Sequence, residues 1–441
     1  MILPDYVLEC IDTLENAGYA AYAVGGCVRD TCLGLEPKDY DLCTEALPDQ
    51  IQEAFHGRDL VLSGIKHGTV GVVTGGGVVE ITTFRTEGGY TDNRHPDWVK
   101  YVSDIESDLA RRDFTINAMA WSPTRGIIDP FDGREDLKKR ILRAVGDPEK
   151  RFQEDSLRIL RGARFAVRYS LPIESRTAAA MYSQAPLMDN LARERVFEEL
   201  CKFLPLVTAQ DLRRFGPILA QVIPELKPTL KFDQCCPHHA FDLYTHISLV
   251  TASLPPDLSL RWAGLLHDIG KVPTFTRDEN RRGHFYGHDK VGAQMAKEIL
   301  KRMHAPSALR DQVVLLIANH MTQLPADKKI LRRRIIQFGW DTLEKLVLLQ
   351  RADLSSKGIR EQEQHDRFDR VEELLEEIRR ENECLSLRDL AVNGNDLRAL
   401  GYEGREIGSC LENLLGQVVD ETLENTREAL LSAAEQAKKA E

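Results

Sequence analysis

The chain lacks the marks of several large protein classes. No run of 18 apolar residues occurs among its 441 residues, so no segment reads as a membrane-spanning helix. The opening stretch, MILPDYVLECIDTLENAGYA, lacks the basic start and apolar block of an export signal. Its acidic residues interleave with apolar ones and predict an amphipathic helix. Cysteine is scarce: nine residues, placed singly apart from Cys235-Cys236, with no CxxC. That pattern gives neither a disulfide framework nor a thiolate zinc site, and the expectation is a cytoplasmic protein with reduced thiols. Repeats and low-complexity tracts are missing. With 42% hydrophobic and 29% charged residues, the composition excludes a disordered, collagen-like or coiled-coil chain.

Positive charge is also in deficit. The net charge is -11, which argues weakly against a nucleic-acid partner. The distribution changes that reading. Residues 356–441 hold 12 Lys and Arg against 21 Asp and Glu, so the acidity lies in the tail. Residues 138–168 hold 10 basic against 4 acidic residues, a local basic stripe.

What is there begins with apolar alternation and glycine-rich turns before residue 130. TVGVVTGGGVVEITTF (69–84) reads as a hairpin turning at Thr74-Gly75-Gly76-Gly77. AAYAVGG (20–26) and KDYDLCT (38–44) read as further strands. After about residue 150 apolar residues recur at three- and four-residue spacing, which predicts helices throughout. Asp147-Pro148, Pro217, Pro224, Pro228, Pro237 and Pro255-Pro256 are expected to break them. The expected fold class is α+β: a small head over 1–140, then an all-α remainder. That remainder divides into a neck and start of body over 141–230, a histidine-rich region over 231–355 and a tail over 356–441.

Three constellations carry chemistry. In the first, Gly25-Gly26 follows a strand and precedes a helix holding Arg29 and Asp30. Backbone N–H groups there approach a phosphate at the positive helix end, although a plain strand–helix turn has the same pattern. Asp39 and Asp41, spaced i, i+2 in the expected strand, put two carboxylates on one face. Such a pair is costly without a cation, and Mg²⁺ suits an oxygen site that also meets substrate phosphates. Glu80, flanked by core-facing Val79 and Ile81, is a third carboxylate for this face, or else part of an exposed polar one.

In the second, Arg111, Arg112, Asp113 and Asn117 suit a triphosphate clamp, or a helix start with Asp113 as its cap. Asp155 and Arg158 are expected on one helix at i, i+3, with Arg161, Arg164 and Arg168 following. A solvated arginine face with a surface ion pair fits the same spacing. A fixed Asp–Arg pair offers an acceptor beside a donor. That matches the amino donor and ring-nitrogen acceptor of cytosine and adenine, and mismatches uracil and guanine. One helical turn would then select CTP and ATP, with Arg161 toward the triphosphate.

In the third, eight of twelve histidines fall in 238–320. His246, His267-Asp268 and Asp353 form an H…HD…D pattern. Imidazole with carboxylate suits Mg²⁺, Mn²⁺, Ni²⁺ or Fe²⁺. His288 and His320 are further candidates, His238 and His239 are read as helix-start residues, and Lys271 as a phosphate contact or a plain helix-end lysine.

The ordered motifs resemble a family. Gly25-Gly26-x-Val28-Arg29-Asp30, Asp39-x-Asp41, Arg111-Arg112-Asp113-Phe114-Thr115-x-Asn117 and Glu154-Asp155-x-x-Arg158-x-x-Arg161 are similar to those of class II tRNA nucleotidyltransferases (CCA-adding enzymes) and bacterial poly(A) polymerases. The resemblance implies a DNA polymerase β-type head, catalytic Mg²⁺ on Asp39 and Asp41, and base recognition by Asp155 and Arg158. It also implies a helical neck, body and tail, with the tail holding the tRNA elbow. FRTEGGYTDNRHPDWVKY (84–101), with Tyr90, Asp92, Arg94, His95 and Pro96, is similar to the loop that lets the full CCA-adding branch switch from CTP to ATP. His246, His267-Asp268 and Asp353 resemble the HD phosphohydrolases, which implies hydrolysis of phosphomonoesters or cyclic phosphates. The expected partners are tRNA, CTP and ATP, with no membrane. The alternatives are a poly(A) polymerase, or an HD phosphohydrolase with a vestigial head.

Overall fold

A computed structural model describes residues 3–88, 98–235, 240–358, 362–381 and 384–440. The chain forms two compact units, Met1–Val207 with Arg214–Lys227, and Thr208–Arg213 with Pro228–Glu441. No helix among the described residues is long and apolar enough to cross a membrane. The overall class is α+β, as expected.

The first unit opens with α1 (Asp5–Asn16), which buries Val7, Cys10, Ile11 and Leu14, the amphipathic stripe its sequence predicts. Then come β1 (Ala21–Val24), α2 (Gly26–Cys32), β2 (Asp41–Thr44), α3 (Pro48–Ala54), β3 (Leu60–Val61), β4 (Thr69–Thr74) and β5 (Gly77–Thr83). β6 (Arg85–Gly88) pairs with β7 (Trp98–Tyr101) in a ribbon of its own. After α4 (Ile105–Ala110) come β8 (Ala120–Ser122) and β9 (Gly126–Ile128). One mixed sheet runs β3-β4-β5-β2-β1-β8-β9. β4 and β5 are the expected hairpin, with Thr74 opposite Gly77. Tyr22, Val24, Cys43, Phe84, Leu109, Ala118 and Val145 build a core against this sheet.

The strand expected over 38–44 is shorter than its sequence suggests. β2 begins only at Asp41, so Asp39 comes from the preceding loop. β1 ends where Gly25 turns at a φ of 76°, which leaves residues 38–40 no strand to pair with on that side. Pro37 just upstream also removes a donor.

Helices follow: α5 (Gly133–Lys138), α6 (Pro148–Glu154), α7 (Leu157–Arg168), α8 (Ser175–Ser183), α9 (Arg193–Phe203) and α10 (Ala209–Val222). Asp147 caps α6 and Pro148 occupies its first turn, where the missing N–H costs nothing. Pro217, expected to break a helix, lies inside α10 instead. The buried Leu212, Phe215, Ile218 and Leu219 hold that helix through the lost bond.

In the second unit, α11 (Leu243–Ser253), α12 (Leu258–Leu266), α13 (His288–Arg302), α14 (Ser307–Asn319), α15 (Lys328–Phe338) and α16 (Trp340–Ser355) precede α17 (Gln362–Arg380), α18 (Gly394–Ala399), α19 (Arg405–Val419) and α20 (Arg427–Ala440). A small hairpin, β10 (Thr276–Arg277) with β11 (Gly283–His284), interrupts the expected all-α pattern. α12 is buried from Ser259 to Leu266, so it is the central helix around which the others gather. The eight described cysteines are free thiols.

Candidate active sites

In the first unit, parallel pairing places Asp41 directly opposite Glu80. Val79 and Ile81 are buried on either side while Glu80 is exposed, the expected orientation. Burial raises the Asp41 carboxyl above its ordinary range, and repulsion from Glu80 and Asp39 raises it further, against the Arg112 guanidinium. A pair of like charges held this way calls for a cation. Asp39 is exposed, and it reaches the group from the loop and not from the same strand face.

Gly25 shows why a glycine stands there. Its φ is 76°, and an added Cβ would lie 3.0 Å from an Arg112 Nη. Arg112 therefore lies against the Gly25 turn and within electrostatic reach of Asp41. Asp108, buried on α4, holds both arginines: Arg111 donates to Oδ1 at 2.8 Å and Arg112 to Oδ2 at 3.3 Å. The i, i+3 and i, i+4 spacing of Asp108 to Arg111 and Arg112 is the local signal of this pairing in the sequence.

Arg29 does not face open solvent. It is buried, ion-paired with Asp30 at 2.8 Å, donating to the Asn117 side-chain Oδ1 and stacked over the Tyr169 ring. Asn117 in turn donates to Asp113 Oδ1, and Arg161 donates to Asp113 Oδ2. Asp113 is thus the centre of a chain running from α2 to α7, not a helix cap. Burial alone would push its carboxyl up, but Arg161 and Asn117 bring it down to about 2.

Asp155 and Arg158 depart from expectation. Asp155 has extended backbone at the end of α6, and α7 starts only at Leu157, so the two do not share a helix. The Asp155 side chain accepts from Leu157 N–H, closing the break locally. It is also ion-paired with Arg195 on α9 at 2.8 Å. Arg158 is buried, donating to Glu154 at 2.8 Å and to the Arg111 carbonyl at 2.9 Å. Nor is the arginine face solvated throughout, because Arg164 is buried against Glu199. Arg195 lies 40 residues from its partner, and no local spacing reveals it.

In the second unit, five elements aim side chains at one point. His246 comes from α11, His267 and Asp268 from the end of α12, His288 from the first turn of α13, His320 from the end of α14 and Asp353 from α16. The Nδ1 atoms of His267, His288 and His320 face the carbonyls of Gly264, Phe285 and Ile317 at 2.7–2.8 Å, and His246 Nδ1 faces that of Ser356 at 3.3 Å. These bonds fix the Nδ1–H tautomer and turn each Nε2 lone pair inward, as metal-ligating imidazoles require. His246 Nε2 lies 2.9 Å from Asp353 and 3.3 Å from Asp268, and His267 Nε2 lies 3.2 Å from Asp268. Ligands bound at about 2.1 Å at right angles sit roughly 3.0 Å apart, so this spacing fits one ion. The His267 Nε2 is buried with the Asp268 carboxylate close by, a placement that suits a ligand atom.

Asp268 presents its other oxygen to His288 at 3.4 Å and His320 at 3.9 Å, whose Nε2 atoms lie 3.2 Å apart. Two converging groups of side chains, each able to hold a metal ion, thus share Asp268. The flanking imidazoles and Lys271 hold Asp268 well below the usual carboxylate range against its burial. A cavity of about 240 Å³ opens on this cluster, lined also by Lys271 and Lys357. Tyr90, Asp92, Arg94, His95, Pro96, His238 and His239 lie outside the described residues.

Comparison with known proteins fits this geometry. Residues 21–143 match the poly A polymerase head domain, 170–230 a probable RNA and SrmB-binding site of polymerase A, and 243–386 the HD domain. The chain is 35% identical to a CCA-adding enzyme of Levilactobacillus brevis, over 96% of this chain and 95% of that one. It is 34% identical to a CCA-adding enzyme of Latilactobacillus sakei, over 97% and 96%. Among solved structures, the Bacillus stearothermophilus CCA-adding enzyme in complex with CTP aligns over 100% of this chain and 99% of that one. Its TM-score is 0.71 at 26% identity. A Thermotoga maritima CCA-adding enzyme complexed with tRNA shares the fold at a TM-score of 0.63 and 20% identity.

Proposed function

The chain belongs to the CCA-adding enzymes, tRNA nucleotidyltransferases, and from that membership we propose how its residues divide the work. The tRNA 3′ hydroxyl attacks the α-phosphate of CTP twice and of ATP once, forming a phosphodiester while pyrophosphate leaves. Asp39 and Asp41 would hold Mg²⁺, with Glu80 beside them. When bound, that ion favours the ionised hydroxyl and neutralises charge on the leaving pyrophosphate. Gly25 and Gly26 let the backbone approach the triphosphate, and Arg112, oriented with Arg111 by Asp108, meets its charge. Arg161 supports this region through Asp113, and Arg29 and Asn117 complete the chain. Asp155 and Arg158 read the amino group and ring nitrogen of cytosine or adenine, with Arg195 and Glu154 holding them ready.

The observation that carries this reading is the in-register Asp41–Glu80 pair beside Arg112 and the Gly25 turn. The test is addition of each nucleotide, singly and together, to tRNA lacking its terminus. Ordered C, C, A addition, lost in Asp41→Ala, is expected. ATP-only tailing of generic RNA would favour a poly(A) polymerase. We further propose that 1–140 is the catalytic head, 141–230 the base-reading neck, 231–355 the HD region and 356–441 a tRNA-holding tail.

We read the HD region as a phosphohydrolase using Mg²⁺, Mn²⁺, Ni²⁺ or Fe²⁺ on phosphomonoesters or 2′,3′-cyclic phosphates. His246, His267, Asp268 and Asp353 would hold the ion, with His288 and His320 as further ligands. The bound ion would lower the pKa of a ligated water. Lys271 and Lys357 would neutralise the phosphate. The convergence of the inward-facing Nε2 atoms carries this reading. His267→Ala with Asp268→Ala should abolish metal-dependent hydrolysis. Absence of hydrolysis by the unmodified protein with any of these metals would leave the region as a scaffold.

A further inference from the structure

The loop that carries Asp39 has few ties of its own. Residues 36–40 precede β2, and among the described residues none of their backbone groups bonds to another backbone group. Asp41 is different, because the ladder to β5 fixes it opposite Glu80. A carboxylate that shares an ion with Asp41 needs an equally fixed place, held to within about 0.5 Å. What holds Asp39 must therefore come from side chains.

Two tyrosine rings supply the tie. Tyr40 lies between the two aspartates in sequence. Its ring meets that of Tyr6 edge to face, with centroids 6.2 Å apart and planes at 89°. Aromatic pairs prefer this arrangement, because the positive edge of one ring faces the negative face of the other. Tyr6 stands in the first turn of α1, a helix anchored by the buried Val7, Cys10, Ile11 and Leu14.

The tip of the β4–β5 hairpin rests on the same ring. A Cβ at Gly76 would lie 2.3 Å from two carbons of Tyr6, so only a glycine permits the approach. The tip is itself braced, since Gly76 N–H donates to Thr74 Oγ1 at 3.3 Å and Thr74 Oγ1 donates to the Gly77 carbonyl at 2.6 Å. Tyr6 thus touches both the segment that bears Asp39 and the hairpin that bears Glu80.

We propose that Tyr6, acting through Tyr40, is a positioning residue for the metal site of the head: it fixes the Asp39 loop against the Glu80 hairpin so that three carboxylates close on one ion. This rests on the reading of Asp39 and Asp41 as the holders of Mg²⁺. The link is ring on ring, so Tyr6→Phe keeps it. Gly25 and Arg112, which meet the triphosphate, come from other elements. Loss of the tie therefore weakens the hold on the metal and spares the hold on the nucleotide.

The test uses the full chain and Mn²⁺ alone, with binding followed by electron paramagnetic resonance. The share of binding lost in Asp41→Ala belongs to the head, which separates it from the histidine cluster. Tyr6→Ala should weaken that share about three- to tenfold, the worth of one aromatic pair, and leave the remainder untouched. Tyr40→Ala, which leaves α1 intact, should do the same. The double variant should bind no more weakly than either single one, because both remove one contact. Tyr6→Phe should bind as the unmodified protein does. In nucleotide addition, Tyr6→Ala should need more Mg²⁺ for half-maximal rate by the same factor. At saturating Mg²⁺ its kcat and KM for CTP should match those of the unmodified protein. Unchanged Mn²⁺ binding in both single variants, additive losses in the double variant, or a kcat that Mg²⁺ does not restore would overturn the proposal. If Asp41→Ala itself loses no Mn²⁺ binding, the reading of these carboxylates as a metal site falls, and the proposal falls with it.

Discussion

At the scale of single residues, the head depends on carboxylates whose partners set what they do. Asp113 is buried and held down to about 2 by Arg161. A carboxyl depressed in the folded state contributes stability above its unfolded pKa of about 3.9, and loses it as pH falls through the folded value. The contribution is on the order of 2 kcal/mol and should fade between about pH 4 and pH 2. Denaturant unfolding of the unmodified protein and of Asp113→Asn checks this. Their stability gap should narrow across that window, and a constant gap would contradict the assignment. A second prediction concerns Arg195. If it holds Asp155 for base reading, Arg195→Ala should erode discrimination against UTP by roughly tenfold, within the 1–3 kcal/mol of a matched contact. Steady-state addition of CTP and UTP measures it. The local Asp155–Arg158 spacing predicts one shared helix, and the break between α6 and α7 denies it. Of the groups that hold the two side chains, Glu154 is local, whereas Arg195 and the Arg111 carbonyl meet them only through tertiary folding.

Elements decide which of these residues meet. The hairpin over 69–83 was readable from alternation and glycine, and it delivers Glu80 to Asp41. The start of β2 was not readable, because it depends on where β1 runs out. In the second unit the H…HD…D spacing marked residues that could hold a metal, but their convergence needs α12 buried at the centre. Gly270, just after Asp268, shows how tight that packing is. A Cβ there would lie 2.2 Å from the His288 carbonyl and 2.6 Å from Gly292 N. Gly270→Ala should therefore displace the start of α13, costing about 1–3 kcal/mol and lowering metal occupancy. Thermal melting with metal analysis by mass spectrometry tests both. Unchanged occupancy would mean that His288 is not a ligand.

At the scale of the whole molecule, charge needs an account. The net -11 looked unfavourable for RNA, yet most of it belongs to the last 86 residues. Part of that acidity is matched within the second unit: Asp420 binds Arg333 at 2.6 Å, and Glu421 binds Arg332 at 2.5 Å. Exposed pairs of this kind add little stability, so their cost to break is small. Asp420→Asn should release the Arg333 charge and steepen the salt dependence of tRNA binding, since each neutralised phosphate adds to the slope. Binding across a series of KCl concentrations reads this, and an unchanged slope would remove α15 from the tRNA-facing surface. The sequence alone showed an acidic tail without showing where its charges were directed.

The central claim is that this chain builds CCA on tRNA through the carboxylates at the edge of β2. The most direct measurement is nucleotide addition to tRNA lacking its terminus, resolved at single-nucleotide length, for the unmodified protein and for Asp41→Ala. The account predicts two C additions, then one A and a stop, with no addition by the variant. Continued A tailing without C, or C and A addition that survives Asp41→Ala, would contradict it.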